Sequence, residues 1–306
     1  MCKIAIVTQS YKNDFNECKL LCESIDRFAS EIDHFIFVND EDAQLFGCMN
    51  YKRHKVFKKS TVLPWYLVRV PFKMLGHHFY ISPLTIPVRE WIIQQICKLG
   101  VFEVIGNEYD AVFNIDSETV LMRPLDKAKW IRDGKFIMFR TLNVDEPSHD
   151  DYCKAAKKLL SLPVPISEFG KYNYMNTPVC FVRENTANLL EAIRVKSKLK
   201  NWKLALCNTY RFSEYYTYGI YTDCVLGGRN HVIIDKHLFP QVDISECADE
   251  NIFRWKVETA MRDENVMGLW LQKKDRKSLE SRYLDFRKVE HVVKDYWNLY
   301  ELPIIR

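Results

Sequence analysis

The sequence predicts an α/β fold: a mixed, mainly parallel sheet flanked by helices, followed by a mostly helical C-terminal region. Two observations carry this. The chain opens as strand, loop, helix, strand, and apolar runs of strand length then keep alternating with segments of helical periodicity. Lys3 to Val7 is a short apolar strand that Thr8-Gln9-Ser10 breaks. Phe15 to Phe28 follows, with Leu20, Leu21, Ile25 and Phe28 at helical spacing. His34 to Val38 is a second apolar strand, stopped by Asn39-Asp40. A β-loop-α-β opening starts a parallel sheet, and ligands of such sheets bind beyond the carboxyl ends of the strands. Thr8, Gln9, Ser10, Asn39 and Asp40 stand at those ends and are candidate binding residues. The absence of a glycine-rich turn there argues against a Rossmann dinucleotide site or a P-loop.

The later elements follow in order. Residues 60–87, with Pro64, Pro71, Pro83 and Pro87, read as irregular. From Val88 the pattern turns helical through Trp91 and Leu99 and closes at Gly100. Tyr109 to Ile115 is a strand that ends in Asp116-Ser117-Glu118, and Met122 to Leu125 ends a short strand after it. Phe136–Phe139 reads as a strand, Asp150–Leu160 as a helix, and a strand lies within Asn173–Val182. Asn185–Leu199 and the aromatic stretch Phe212–Tyr221 read as helices. The expected division is a domain over 1–245, in two parts meeting near residue 125, and a helical appendage over 246–306.

Composition bounds the function. The chain has 306 residues, 47% hydrophobic and 27% charged, which suits a globular domain rather than a disordered one. A net charge of +4 is too mild for a nucleic-acid-binding protein. Two local runs are basic, Lys52-Arg53-His54-Lys55 with Lys58-Lys59, and Lys273-Lys274 with Arg276-Lys277. They read either as solvated loops or as docking points for anionic lipid or an anionic glycan. No apolar run reaches the ~18 residues of a membrane span. Met1-Cys2-Lys3 runs straight into a strand with no secretory leader before it, and the ten cysteines are scattered without a C-x-x-C pair. A cytoplasmic protein is expected, at most peripheral at the inner face of the membrane.

The chemistry centres on Asp116-Ser117-Glu118. Strand alternation puts Asp116 and Glu118 on one side of the turn. Two carboxylates there suit Mg²⁺ or Mn²⁺ while leaving positions for diphosphate oxygens and water. The same residues also suit plain turn or capping roles. No G-x-S-x-G elbow, H-E-x-x-H or cysteine/histidine frame offers a rival chemistry. The adjacent His77 and His78 would point apart on a strand and read as loop.

Several stretches together resemble one family. The acidic turn and the Val120-Leu121-Met122-Arg123-Pro124-Leu125 that follows it resemble the metal-binding region of GT-A glycosyltransferases. Trp91-Ile92-Ile93-Gln94-Gln95-Ile96-Cys97-Lys98-Leu99 resembles the W-x-x-Q-Q-x-x-K-L helix of a bacterial GT-A-like family of unknown function, associated with surface polysaccharide synthesis. Phe212-Ser213-Glu214-Tyr215 with Tyr218-Gly219 and Tyr221 is similar to that family's F-S-E-Y-x-x-Y-G-x-Y segment. Asn176-Thr177-Pro178-Val179 resembles its acceptor-side strand. The resemblance spans residues 1–230; where the family usually carries D-S-D, the third position here is Glu118.

The resemblance implies a GT-A-like fold, with 1–125 binding a nucleotide-sugar, 126–245 forming the acceptor side and a divalent cation, Mn²⁺ or Mg²⁺, as cofactor. It implies donor contacts from Gln95, Lys98 and Asp116, against the alternative of a solvent-facing helix surface. Asp116 and Glu118 would hold the metal, completed by His231 or His237. Glu214 is the candidate general base, with Asp223 in reserve; the rival reading makes Ser213 and Glu214 a helix start. A metal-independent transferase and a non-catalytic nucleotide- or sugar-binding scaffold stay open. The implied partners are a nucleotide-sugar and a glycan or lipid-linked glycan acceptor, with a membrane contact and a homodimer left open.

Overall fold

The computed structural model describes residues 2–74, 76–142, 147–272 and 284–301. Its centre is a five-stranded sheet of β1 (Ile4–Gln9), β2 (Asp33–Val38), β3 (His54–Lys58), β7 (Ala111–Asn114) and β11 (Val179–Val182), in the order β11-β7-β1-β2-β3. Neighbours from β7 through β3 pair in parallel, and β11 alone runs antiparallel, with Val179 opposite Asn114. The architecture is the mixed, parallel-dominated α/β sheet expected, with helices on both faces.

Burial on both faces explains why these strands read as unbroken apolar runs. Ala5 and Val7 of β1 join one core with Phe35, Phe37, Ile93 and Ile96. Ile4 and Ile6 join the other with Leu20, Leu21 and Ile25 of α1 (Phe15–Phe28). The first core is sealed by α2 (Glu90–Gly100), α3 (His149–Leu160), α4 (Arg183–Lys196) and α5 (Glu214–Cys224).

The segment 60–87, expected to be irregular, contains a small antiparallel sheet of β4 (Val68–Arg69), β5 (Phe79–Ser82) and β6 (Thr85–Arg89). Its prolines are tolerated because Pro83 sits in the β5–β6 turn and Pro87 on a strand that pairs on one side only. A further sheet joins β9 (Ile131–Arg132), β10 (Lys135–Phe139) and β12 (His231–Ile234).

The region after residue 245 carries α6 (Glu250–Ala260) and α7 (Phe286–Glu301), and also a strand. That strand, β14 (Gly268–Gln272), lies between β13 (Gln241–Asp243) and β8 (Thr119–Leu121). Trp297 of α7 packs edge-on against Phe28, and its Nε1 donates to the Leu121 carbonyl at 3.0 Å. Arg123 donates to the carbonyls of Met261, Asp263 and Val266. The basic run at 273–277 lies outside the described residues.

Candidate active site

The strand order places a topological switch between β1 and β7: the chain leaves β1 toward β2 and returns to the other flank of β1 as β7. Crevices open at such points, outside the carboxyl ends of the strands. Gln9 and Ser10 follow β1, Asn39 and Asp40 follow β2, and Ile115-Asp116 follow β7. Because β11 runs the other way, the residues before it, Asn176 to Pro178, reach the same edge.

Asp116 leaves β7 in a turn closed by Thr119 N–H donating to the Asp116 carbonyl at 3.0 Å. Ser117 is buried, with its hydroxyl on the Gln9 carbonyl at 3.4 Å, while Asp116 and Glu118 on either side are half-exposed.

Lys98, on α2, reaches into this turn. Its Nζ lies 3.3 Å from Asp116 Oδ1 and 3.2 Å from Glu214 Oε1, and donates to the Tyr215 hydroxyl at 2.6 Å. Burial alone would make the ammonium easier to deprotonate, but Asp116, Tyr215 and Glu214 outweigh it and hold the Lys98 pKa well above its usual value. Burial pushes the Glu214 carboxyl up, and the Lys98 charge only partly opposes this. Two carboxylates, Asp116 and Glu214, stand against the one ammonium of Lys98 in this cluster.

Glu214 opens α5. Ser213 is the N-cap, its hydroxyl accepting from Tyr216 N–H at 3.4 Å. The Glu214 N–H is taken by Gln95 Oε1 at 3.0 Å, and Gln95 Nε2 reaches the Trp91 carbonyl at 3.5 Å. The Gln95 amide therefore fixes where Glu214 sits.

Several buried polar atoms along the edge have no hydrogen-bond partner among the described residues: both ends of the Gln9 amide, the Ser10 hydroxyl, Asn114 Oδ1 and the Thr177 hydroxyl. Such atoms normally find partners, and five of them stand along this one edge. Beside them Lys59, fully buried, donates to Asn39 Oδ1 at 2.8 Å.

The remaining candidates stand elsewhere. The Thr8 hydroxyl faces α1 and bonds His34 Nε2 at 2.9 Å. Asp223 closes the opposite end of α5, nine residues and about 13 Å along the axis from Glu214. It accepts from Arg140 at 3.0 Å and Tyr174 at 2.7 Å, in a pocket of about 580 Å³ that His231 also lines. Both ring nitrogens of His231 are engaged, by the Tyr218 hydroxyl at 2.7 Å and the Phe136 carbonyl at 3.2 Å. His237 packs at a tilt against Phe139 and its Nδ1 bonds Asn176 Oδ1 at 3.0 Å, just before the reversed strand. Sequence reasoning assigned no role to Tyr215 or Thr177, which stood inside quoted motifs, and it read Lys59 as part of a solvated or docking basic run, whereas the side chain is buried.

Among the described residues, the one group of three His, Cys, Asp or Glu side chains close enough to share an ion is Cys22, His34 and His54. It lies under α1 and is already bonded within itself: Asp26 Oδ1 to His54 Nε2 at 3.3 Å, His54 Nδ1 to His34 Nδ1 at 2.9 Å, then His34 to Thr8.

Solved structures similar in fold are glycosyltransferases. Mouse xyloside xylosyltransferase 1 in its apo form shares 8% identity at a TM-score of 0.43, over 88% of this chain and 97% of that one. The galactosyltransferase LgtC in complex with donor and acceptor sugar analogues shares 10% at 0.46, over 99% of this chain and 97% of that one. The glycosyltransferase GlyE of Streptococcus pneumoniae TIGR4 shares 8% at 0.41, over 98% of this chain and 64% of that one. No curated protein matches the chain in sequence. A family model does, over residues 3–266, and the chain therefore belongs to the family of unknown function DUF6492.

Proposed function

We propose that the protein is a glycosyltransferase that moves a sugar from a nucleotide-sugar to a hydroxyl of a glycan or lipid-linked glycan, in surface polysaccharide synthesis at the cytoplasmic face of the membrane. The observation that carries this is that the Lys98–Asp116–Glu214 cluster stands at the same edge of the central sheet as polar atoms of Gln9, Ser10, Asn114 and Thr177 that lack partners among the described residues. A nucleotide-sugar needs polar contacts for base and ribose, charge for its diphosphate and a base for the incoming hydroxyl.

Gln9, Ser10 and Asn39 would meet the nucleotide. Asp116 and Glu118 are two half-exposed hard oxygen donors on one turn, residue types that suit Mn²⁺ or Mg²⁺. When bound, the ion would neutralise charge on the diphosphate leaving group. Lys98 holds Glu214 Oε1, which leaves Oε2 to accept the proton of the attacking hydroxyl. A raised Glu214 pKa brings the base nearer to neutral pH, where general-base catalysis is most effective. The acceptor oxygen then displaces the diphosphate directly, inverting the anomeric centre.

The test is thermal unfolding with UDP, GDP or CMP, each with Mn²⁺ and with EDTA. A nucleotide at 100 times its dissociation constant adds about 2.7 kcal/mol of stability. The reading expects one nucleotide to stabilise the protein with Mn²⁺ only, and Asp116→Ala to abolish the effect. Stabilisation that survives EDTA would move the phosphate contact to Lys98 and replace the metal-assisted mechanism. No response to any nucleotide would overturn the proposal.

A further inference from the structure

We propose that the small sheet β4-β5-β6 and its flanking loops form a docking face for an anionic lipid bilayer, a surface independent of the reaction at the crevice. Large apolar side chains crowd the outside of this segment. Trp65 is 90% exposed and Phe72 63%, and Val68, Ile81, Leu84 and Ile86 are exposed with them. Antiparallel sheets with one wet face normally alternate apolar-in and polar-out. Here Tyr80 points into the core, yet its neighbour Ile81 and that residue's cross-strand partner Val68 are apolar and exposed. The outer face is thus apolar where water alone would select polar residues.

Charge identifies the occupant. From Ala43 to Arg89 the sequence contains no aspartate or glutamate and carries eight Lys and Arg residues, of which Lys52, Arg53 and Arg69 pair with Asp26, Asp33 and Glu41 and Lys59 is buried. The whole chain nets only +4, so everything outside this stretch nets −4. Lys58 and Lys73 are exposed in that stretch, and Lys73 directly follows Phe72. Aromatic and aliphatic side chains rimmed by lysines suit the boundary between headgroups and acyl chains, where rings insert and ammonium groups meet anionic lipid. A second copy of the chain would bring the same positive stretch against itself, which disfavours a symmetric dimer on this face. No helix among the described residues is long and apolar enough to cross a membrane, so attachment of this kind would be peripheral. The face runs into α2, the helix that carries Gln95 and Lys98, so docking would set the crevice beside the bilayer.

The test is co-sedimentation of the full chain with vesicles of phosphatidylcholine alone and of phosphatidylcholine with phosphatidylglycerol, at low and high salt. The expected result is binding to the anionic vesicles only, weakened by salt. Lys58→Ala and Lys73→Ala should each weaken it about fivefold. The double variant Trp65→Ser/Phe72→Ser should weaken it at least about tenfold. Trp255→Ser, a control at another exposed tryptophan, should leave it unchanged. All five positions are exposed, and matched thermal unfolding would show that each variant is folded. Equal binding to neutral and anionic vesicles, no binding, or a loss in Trp255→Ser as large as in the double variant would overturn the proposal. So would a concentration-dependent dimer that Trp65→Ser/Phe72→Ser dissolves.

Discussion

Two buried polar networks in this protein are built from similar side chains and end differently. Under α1, Asp26, His54, His34 and Thr8 form a chain in which each member bonds the next. At the β1/β7 edge, Lys98 ties Asp116 to Glu214, but Gln9, Ser10, Asn114 and Thr177 beside it keep polar atoms without partners among the described residues. An unpartnered buried polar group costs about 1–3 kcal/mol. The closed network therefore supports the fold, whereas the open one keeps a cost that a ligand can remove. Satisfaction, rather than residue type, separates the two.

That distinction can be broken by experiment. The largest expected effect is on chemistry: Glu214→Gln should lower sugar transfer about 10²–10⁴-fold. Nucleotide-induced stabilisation should survive in the same variant; activity near that of the unaltered chain would remove Glu214 from the reaction. Next, His34→Ala leaves a cavity and strips His54 and Thr8 of partners, so it should cost about 3–4 kcal/mol in urea unfolding. Its nucleotide response should persist at temperatures where it is folded. A loss below ~1 kcal/mol would mean that the closed network supports little.

The third effect is a pH dependence. Burial lowers the pKa values of His34 and His54, and that of His231 to about 4. Below their ordinary value near ~6.5 the unfolded chain takes up protons that the folded chain refuses. Stability is therefore fully present above about pH 6.5 and is lost as the pH falls toward the folded values. For His231 the loss is on the order of 3 kcal/mol, and His231→Gln should flatten the slope of stability against pH. An unchanged slope would sink this account. The smallest effect sharpens the comparison most. Thr177→Val removes a hydroxyl that has no partner among the described residues, so stability should change by less than about 1 kcal/mol while nucleotide stabilisation falls. A large loss of stability would show that Thr177 belongs with the satisfied network.

Much of the fold was legible in advance. The apolar runs of β1, β2 and β7 are long enough to read because both sheet faces are buried, and α1 shows its spacing because one stripe faces the core. The short sheet at 68–89 was not legible: its strands are brief, interrupted by prolines and apolar on the outer side as well. Nor was β14, whose partner β8 lies about 150 residues earlier in the chain. At the candidate site, sequence supplied residue types and a strand end. Which atoms meet depends on contacts such as Gln95 to the Glu214 N–H, 119 residues apart, and no local pattern encodes those. Tyr215 shows the same limit, since within a tyrosine-rich helix nothing marks the one whose hydroxyl touches Lys98.

The reversal of β11 reaches beyond its own ladder. In a parallel sheet only connections that leave strands can furnish the ligand edge, while those that enter strands are spent at the far side. One strand laid the other way brings the end of an entering connection, Asn176 to Pro178, to that edge. Changes of length or side chain in that connection can alter what the crevice admits and leave the backbone pairing of all five strands as it is.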